Sequence, residues 1–142
     1  MNIFEDYLKA LKTFKISEIT ESTHRGKLQD LLETIAKDIN PKIKIIHEPK
    51  REGKFGSPDY KVIITDNIIG YVENKAIDED LNKVLKSEQI EKYKNLSDNI
   101  IITNYIEFIW LKDGRVTKRE NLSYLTDFED KFNVICNYYV IG

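Results

Sequence analysis

The chain has 142 residues, of which 41% are hydrophobic, 32% are charged and one is cysteine. That length suits one domain with a sizeable core, and the composition excludes both a disordered chain and a disulfide-stapled scaffold. The net charge of −2 is low for a protein that grips nucleic acid over a wide area, because phosphates demand an excess of Lys and Arg. No apolar run is long enough to span a membrane, and Met1-Asn2-Ile3-Phe4-Glu5-Asp6 has neither the basic start nor the apolar stretch of a signal peptide. A cytoplasmic protein without a membrane partner is expected.

In chain order, residues 2–14 read as a short helix with Phe4, Tyr7, Leu8, Leu11 and Phe14 at helical spacing. A second helix is predicted over 20–39, capped by Ser17 or Thr20 and stopped by Asn40-Pro41, with Leu28, Leu31, Leu32, Ile35 and Ile39 as its apolar stripe. Strands are expected at Ile43–His47, Asp59–Thr65 and Ile68–Glu73, with Asp66-Asn67 as the hairpin turn. Residues 79–95 read as one charged helix, Ile100–Thr103 as a buried strand and Tyr105–Leu111 as another, followed by a turn at Asp113-Gly114. Residues 123–139 look helical, with Cys136 a semi-buried helix residue. His24 and His47 read as a surface and a strand residue, and Tyr105, Phe108 and Trp110 as packing residues on a strand. This alternation predicts an α/β fold with a mixed central sheet flanked by helices.

The chemistry concentrates in Gly56-Ser57-Pro58-Asp59 and, fourteen residues after Asp59, in Glu73-Asn74-Lys75. Asp59 opens one strand of the predicted hairpin, and Glu73 and Lys75 close the other. Paired strands lie about 4.8 Å apart and side chains alternate, so two carboxylates and an ammonium should converge. Two adjacent carboxylates repel unless a cation intervenes, and Mg²⁺ accepts one or two carboxylates plus substrate phosphate. Lys75 is then placed to orient or deprotonate a water and to offset charge on an attacked phosphate. Gln89 and Tyr93, four apart on the following helix, share a face, with Gln89 suited to holding the lysine or a phosphate. Glu21 and Arg25 extend the stripe of the second helix and supply a candidate third carboxylate and its partner. Residues 42–54 carry Lys42, Lys44, Lys50, Arg51 and Lys54 against Glu48 and Glu52, a basic run just ahead of the site.

On these residues the chain resembles the PD-(D/E)XK nuclease superfamily, with Asp59, Glu73 and Lys75 on the three catalytic positions and Gln89-Ile90-Glu91-Lys92-Tyr93 on its QxxxY element. More closely, it is similar to the N-terminal nuclease domain of Type ISP and Type IIG restriction-modification enzymes, through Glu21-Ser22-Thr23-His24-Arg25, Gly56–Tyr60, Ile69–Lys75, Gln89–Tyr93 and Thr103–Phe108. The resemblance implies a single domain over 1–142, with a restriction-endonuclease-like core at 20–112, an N-terminal helical extension at 1–19 and a C-terminal helical segment at 113–142. It implies a Mg²⁺-dependent DNA endonuclease, with Mn²⁺ as a substitute, that leaves 5′-phosphate and 3′-hydroxyl ends. Asp59, Glu73 and the Asn74 carbonyl would hold the metal; Asp59, Glu73, Lys75, Gln89 and Glu21 would form the catalytic set. Lys50, Arg51, Lys54, Arg25 and Tyr93 would contact double-stranded DNA. Helicase, methyltransferase and target-recognition domains would belong to a parent polypeptide, and two copies would pair transiently for a double-strand break. Two alternatives stand beside this reading: a nuclease-like fold that binds nucleic acid without cutting, and a partner-docking module. The intact Asp-Glu-Lys set argues against the first of these, since a binding relic has no need of that combination.

Overall fold

The computed structural model describes residues 3–12, 21–47 and 56–122, with the side chains of residue 12 and residues 21–24 excepted. The expected helix at 123–139 with Cys136, the cations Lys50, Arg51 and Lys54, and the Glu21 side chain lie outside this description.

Helix α1 (Ile3–Lys12) buries Phe4, Tyr7 and Leu11, one turn or two apart, and leaves its acidic residues on the other side. Helix α2 (Glu21–Ile39) buries Leu28, Leu31, Leu32, Ile35 and Ala36. It ends at Asn40, whose side chain accepts from the Lys42 amide (2.9 Å), and Pro41 cannot continue the helix.

Strands β1 (Ile43–His47), β2 (Tyr60–Ile64) and β3 (Asn67–Asn74) form an antiparallel meander. The β2–β3 turn sits on Thr65 and Asp66, at φ 44° and 65°, one residue earlier than the expected Asp66-Asn67. Two successive positive-φ residues match the right-handed twist of the strands, and Asn67 is thereby released into β3. The expected helix over 79–95 is two helices, α3 (Leu81–Leu85) and α4 (Glu88–Leu96). Ser87 breaks them: it is extended, its hydroxyl donates to the Val84 carbonyl (2.7 Å) and accepts from the Ile90 amide (3.4 Å). Strands β4 (Asn99–Thr103), β5 (Glu107–Lys112) and β6 (Arg115–Asn121) complete a six-stranded sheet in the order β1-β2-β3-β4-β5-β6.

Two corrections apply here. Tyr105 lies in the β4–β5 turn and not on a strand. Residues 115–121, expected within a C-terminal helical segment, form β6. Its run of charged, exposed side chains has no apolar alternation to announce it, and such residues suit an edge strand because they discourage pairing with other chains.

The mixed character rests on β3 and β4, which are parallel while every other neighbouring pair is antiparallel. A parallel pair needs a crossover, here supplied by α3 and α4. The sheet therefore has two covered faces. On one, α1 and α2 pack over Val62, Val72, Ile101, Phe108 and Trp110. On the other, Leu81, Val84, Ile90 and Tyr93 pack over Ile100, Ile102, Ile109 and Leu111. Strand β4 is buried along its whole length, which explains the apolar run Ile100-Ile101-Ile102 at its centre. The expected mixed α/β sheet flanked by helices is the fold of this chain. Helix α1, expected as an extension, is part of the main core. Among the described residues no helix is long and apolar enough to cross a membrane.

At Gly70, β3 lies close against Asn99 of β4. A Cβ there would stand 2.8 Å from the Asn99 carbonyl oxygen, and backbone cannot yield cheaply. The Asn99 side chain is also committed, donating to the Ile69 carbonyl (2.8 Å) and accepting from the Trp110 indole. Gly70→Ala should therefore destabilise the protein by about 1–3 kcal/mol, read as a lower urea midpoint with an unchanged slope.

Candidate active site

Tyr60 pairs with Val72, so the residues one step further along the hairpin, Asp59 and Glu73, come side by side. Asp59 is fixed from two directions. Its Oδ2 accepts from the Asn74 amide (2.9 Å), and its Oδ1 from the Arg25 guanidinium (3.3 Å) on α2. The Arg25 carbonyl in turn accepts from the Tyr60 hydroxyl (3.3 Å), which ties this turn of α2 to the start of β2.

Glu73 lies deeper, at 5% exposure, on the sheet face covered by α4. It lies against the Asp59 carboxylate and the Tyr93 hydroxyl. Its Oε2 is nonetheless buried with no hydrogen-bond partner. Burial pushes the Glu73 carboxyl up to about 9, and the adjacent Asp59 pushes the same way. The Tyr93 hydroxyl and the Lys75 ammonium pull it back less strongly. The Tyr93 hydroxyl is itself held protonated, first by burial and then by Glu73. Without another cation, the pair of carboxylates is a place that keeps a proton.

Lys75 follows the last β3 residue. Its amide donates to the Thr103 carbonyl (2.7 Å), and its ammonium donates to Gln89 Oε1 (2.6 Å) on α4. Ser87 sets the start of α4 and so the direction from which Gln89 approaches. The structure thus brings together Asp59, Glu73, Lys75 and Gln89, with Arg25 at the rim and the Asn74 peptide in the middle.

Tyr93, expected among the DNA contacts, is placed otherwise. It is 2% exposed, and its hydroxyl faces Glu73, so it supports the site from below. Gly56 allows this. Its φ of +91° suits glycine, and a Cβ there would meet Tyr93 Cε1 at 3.1 Å. Arg25, also expected to touch DNA, is mostly covered and spends its charge on Asp59. Among the described residues no three His, Cys, Asp or Glu side chains converge. Two carboxylates with a substrate phosphate are still enough for Mg²⁺.

The sequence reading missed one polar neighbour. The Asn74 side chain, buried at 2% exposure, donates to the Tyr105 hydroxyl (2.7 Å). A contact 31 residues away leaves no periodic trace, and Tyr105 read as an ordinary packing aromatic.

The proton at Glu73 has a consequence for folding. The unfolded chain releases it near the ordinary value of 4.5, whereas the folded chain keeps it to about 9. Stability in the absence of divalent cations should be full below the lower value and decline as pH rises toward the upper one. Glu73→Gln should flatten this decline and be the more stable protein at pH 8, by about 1–2 kcal/mol. Thermal melts in chelator at pH 5 and pH 8 measure both effects.

No protein-family model matches the chain, and no curated protein does. Among solved structures it is similar to a cryo-electron-microscopy structure of a DrdV–DNA complex, with a TM-score of 0.80 at 19% sequence identity. The match covers 99% of this chain and 14% of that one. The likeness is one of fold: the architecture described above recurs within a much larger chain solved together with DNA.

Proposed function

We propose that this chain is a Mg²⁺-dependent DNA endonuclease domain of the PD-(D/E)XK type, acting as the cleavage module of a larger restriction-modification enzyme of the Type ISP or Type IIG kind. The observation that carries the reading is the pairing of Asp59 with Glu73 beside the Lys75–Gln89 hydrogen bond. The fit of a divalent cation rests on Glu73. A buried carboxylate oxygen without a partner, next to a second carboxylate, is costly unless positive charge reaches it. Hard oxygen donors of this kind suit Mg²⁺, and Mn²⁺ would substitute.

Asp59, Glu73 and the Asn74 carbonyl would hold the ion, which when bound supplies Lewis acidity and neutralises charge on the scissile phosphate. The protein's own groups do the rest. Asp59 is oriented by the Asn74 amide and Arg25, so it need not reorganise during reaction. Gln89 fixes the Lys75 ammonium, which would orient the attacking water by donating to it and offset charge on the phosphate. The products would carry 5′-phosphate and 3′-hydroxyl ends. Arg25 would contact a phosphate together with Lys50, Arg51 and Lys54. Glu21 remains a candidate third carboxylate at the start of α2.

Double-stranded DNA as substrate is supported by the fold shared with a protein solved on DNA. The chain spans 14% of that protein's length, which supports a module of a larger protein; helicase, methyltransferase and target-recognition domains would work beside it. One active site cuts one strand, so a double-strand break would need transient pairing of two copies.

Plasmid nicking with Mg²⁺ tests the reading. The wild type should cut, and Asp59→Ala and Lys75→Ala should each lose about 100-fold or more. Equal cutting by all three proteins would overturn the assignment. DNA binding by a wild type that never cuts would favour a nuclease-like binding module instead.

A further inference from the structure

The β4–β5 turn contains a backbone choice that ordinary turn chemistry does not explain. Tyr105 stands at φ 77°, in the left-handed region, where Gly or Asn is the usual occupant. A bulky aromatic residue there costs on the order of 1 kcal/mol, and such strain persists only where the surroundings demand it. Its neighbour Asn104 was available for the position and is used elsewhere in the turn, accepting from the Glu107 amide (2.8 Å).

What the position achieves is visible in its contacts. The Tyr105 side chain is 1% exposed and reaches across to Asn74, whose amide nitrogen donates to its hydroxyl (2.7 Å). Asn74 is the residue between Glu73 and Lys75, and its backbone N–H holds Asp59. The Asn74 Oδ1 is buried without a partner, so the Tyr105 hydroxyl carries this side chain's described hydrogen bonding alone. The strained turn is clamped in its own right. The Tyr105 amide donates to Thr103 Oγ1 (3.0 Å), and the Tyr105 carbonyl accepts from the Tyr7 hydroxyl of α1 (2.6 Å).

We propose that Tyr105 is a positioning residue for the carboxylate-bearing end of β3, and that Tyr7 of α1 locks it in place. The polar path runs from Tyr7 to the Tyr105 backbone, through its ring to the Asn74 side chain, and from the Asn74 peptide to Asp59. Its effect is to hold the Asn74 peptide at the angle that sets Asp59 beside Glu73. Helix α1 thereby acts on the site without touching it. This rests on the metal-dependent reading above, because the property being positioned is cation binding.

The test is Mn²⁺ binding by the protein, measured calorimetrically without DNA, alongside thermal melts. Tyr105→Phe keeps the ring and loses the hydroxyl. It should weaken Mn²⁺ binding about tenfold, at temperatures where the protein stays fully folded. Tyr7→Phe acts one step further out and should weaken it about threefold; it remains informative if Tyr105→Phe does not fold. Ile35→Val, a core change on α2, serves as the control that lowers the melting temperature and leaves Mn²⁺ affinity unchanged. In cleavage assays the Tyr105→Phe defect should shrink at saturating metal. Wild-type affinity in both tyrosine variants, with the wild type itself binding Mn²⁺, overturns the positioning role alone. A wild type that binds no Mn²⁺ overturns the metal reading and this proposal with it.

Discussion

The parallel pairing of β3 with β4 is the constraint on which the rest of the molecule turns. It sets Glu73 opposite Ile102 and Asn74 opposite Thr103, and the Lys75 amide continues the register onto the Thr103 carbonyl. A parallel neighbour cannot be reached by a tight turn, so the chain must leave the sheet and return. The returning segment is α3 and α4, and α4 carries Gln89 and Tyr93 to the end of β3. Had β4 paired antiparallel through a hairpin, nothing would cover Glu73 and nothing would hold Lys75. The site is thus a product of topology as much as of residue choice.

Coverage by α4 has an electrostatic cost. It removes Glu73 from water while Asp59 sits beside it, and both effects favour the protonated acid. Tyr93 and Lys75 compensate only in part. Arg25 neutralises Asp59 from the opposite side of the sheet, from a helix that otherwise serves the main core. The resting arrangement is therefore one of incomplete compensation, with one buried carboxylate oxygen unpaired. No single side chain in the described set completes it; in the proposed reading a divalent cation would.

The same economy explains why polar residues are found deep in this domain. Asn74, Asn99 and Thr103 are buried, and each binds backbone or another side chain across the sheet. Asn99 joins β3 to Trp110 of β5, and Asn74 joins the site to the β4–β5 turn and, through Tyr105, to α1. Such bonds are directional where apolar packing is not. They set the angle between strands that hydrophobic burial would leave loose, and catalytic geometry tolerates little looseness.

The elements with a clear period were legible from the sequence: the leucine and isoleucine stripe of α2, the alternating strands of the hairpin and the apolar run of β4. The convergence of Asp59 with Glu73 followed from hairpin register and period-two alternation, and the shared face of Gln89 and Tyr93 from helical spacing, because local geometry dictates both; the meeting of Gln89 with Lys75 needed the crossover as well. Other features were decided only in three dimensions. Strand β6 is polar apart from Val116 and exists because β5 offers it an edge. The break at Ser87 depends on a cap that competes with a continuous helix. Tyr93 had the spacing of a surface contact, and only the path of α4 across β3 turned it inward. Tyr105 was one aromatic among fourteen tyrosines and phenylalanines, and its place beside Asn74 comes from a contact between distant segments. Sequence determines what repeats along the chain; burial, pairing across the sheet and the meeting of remote polar groups arise from the packed fold, where distance along the chain no longer counts.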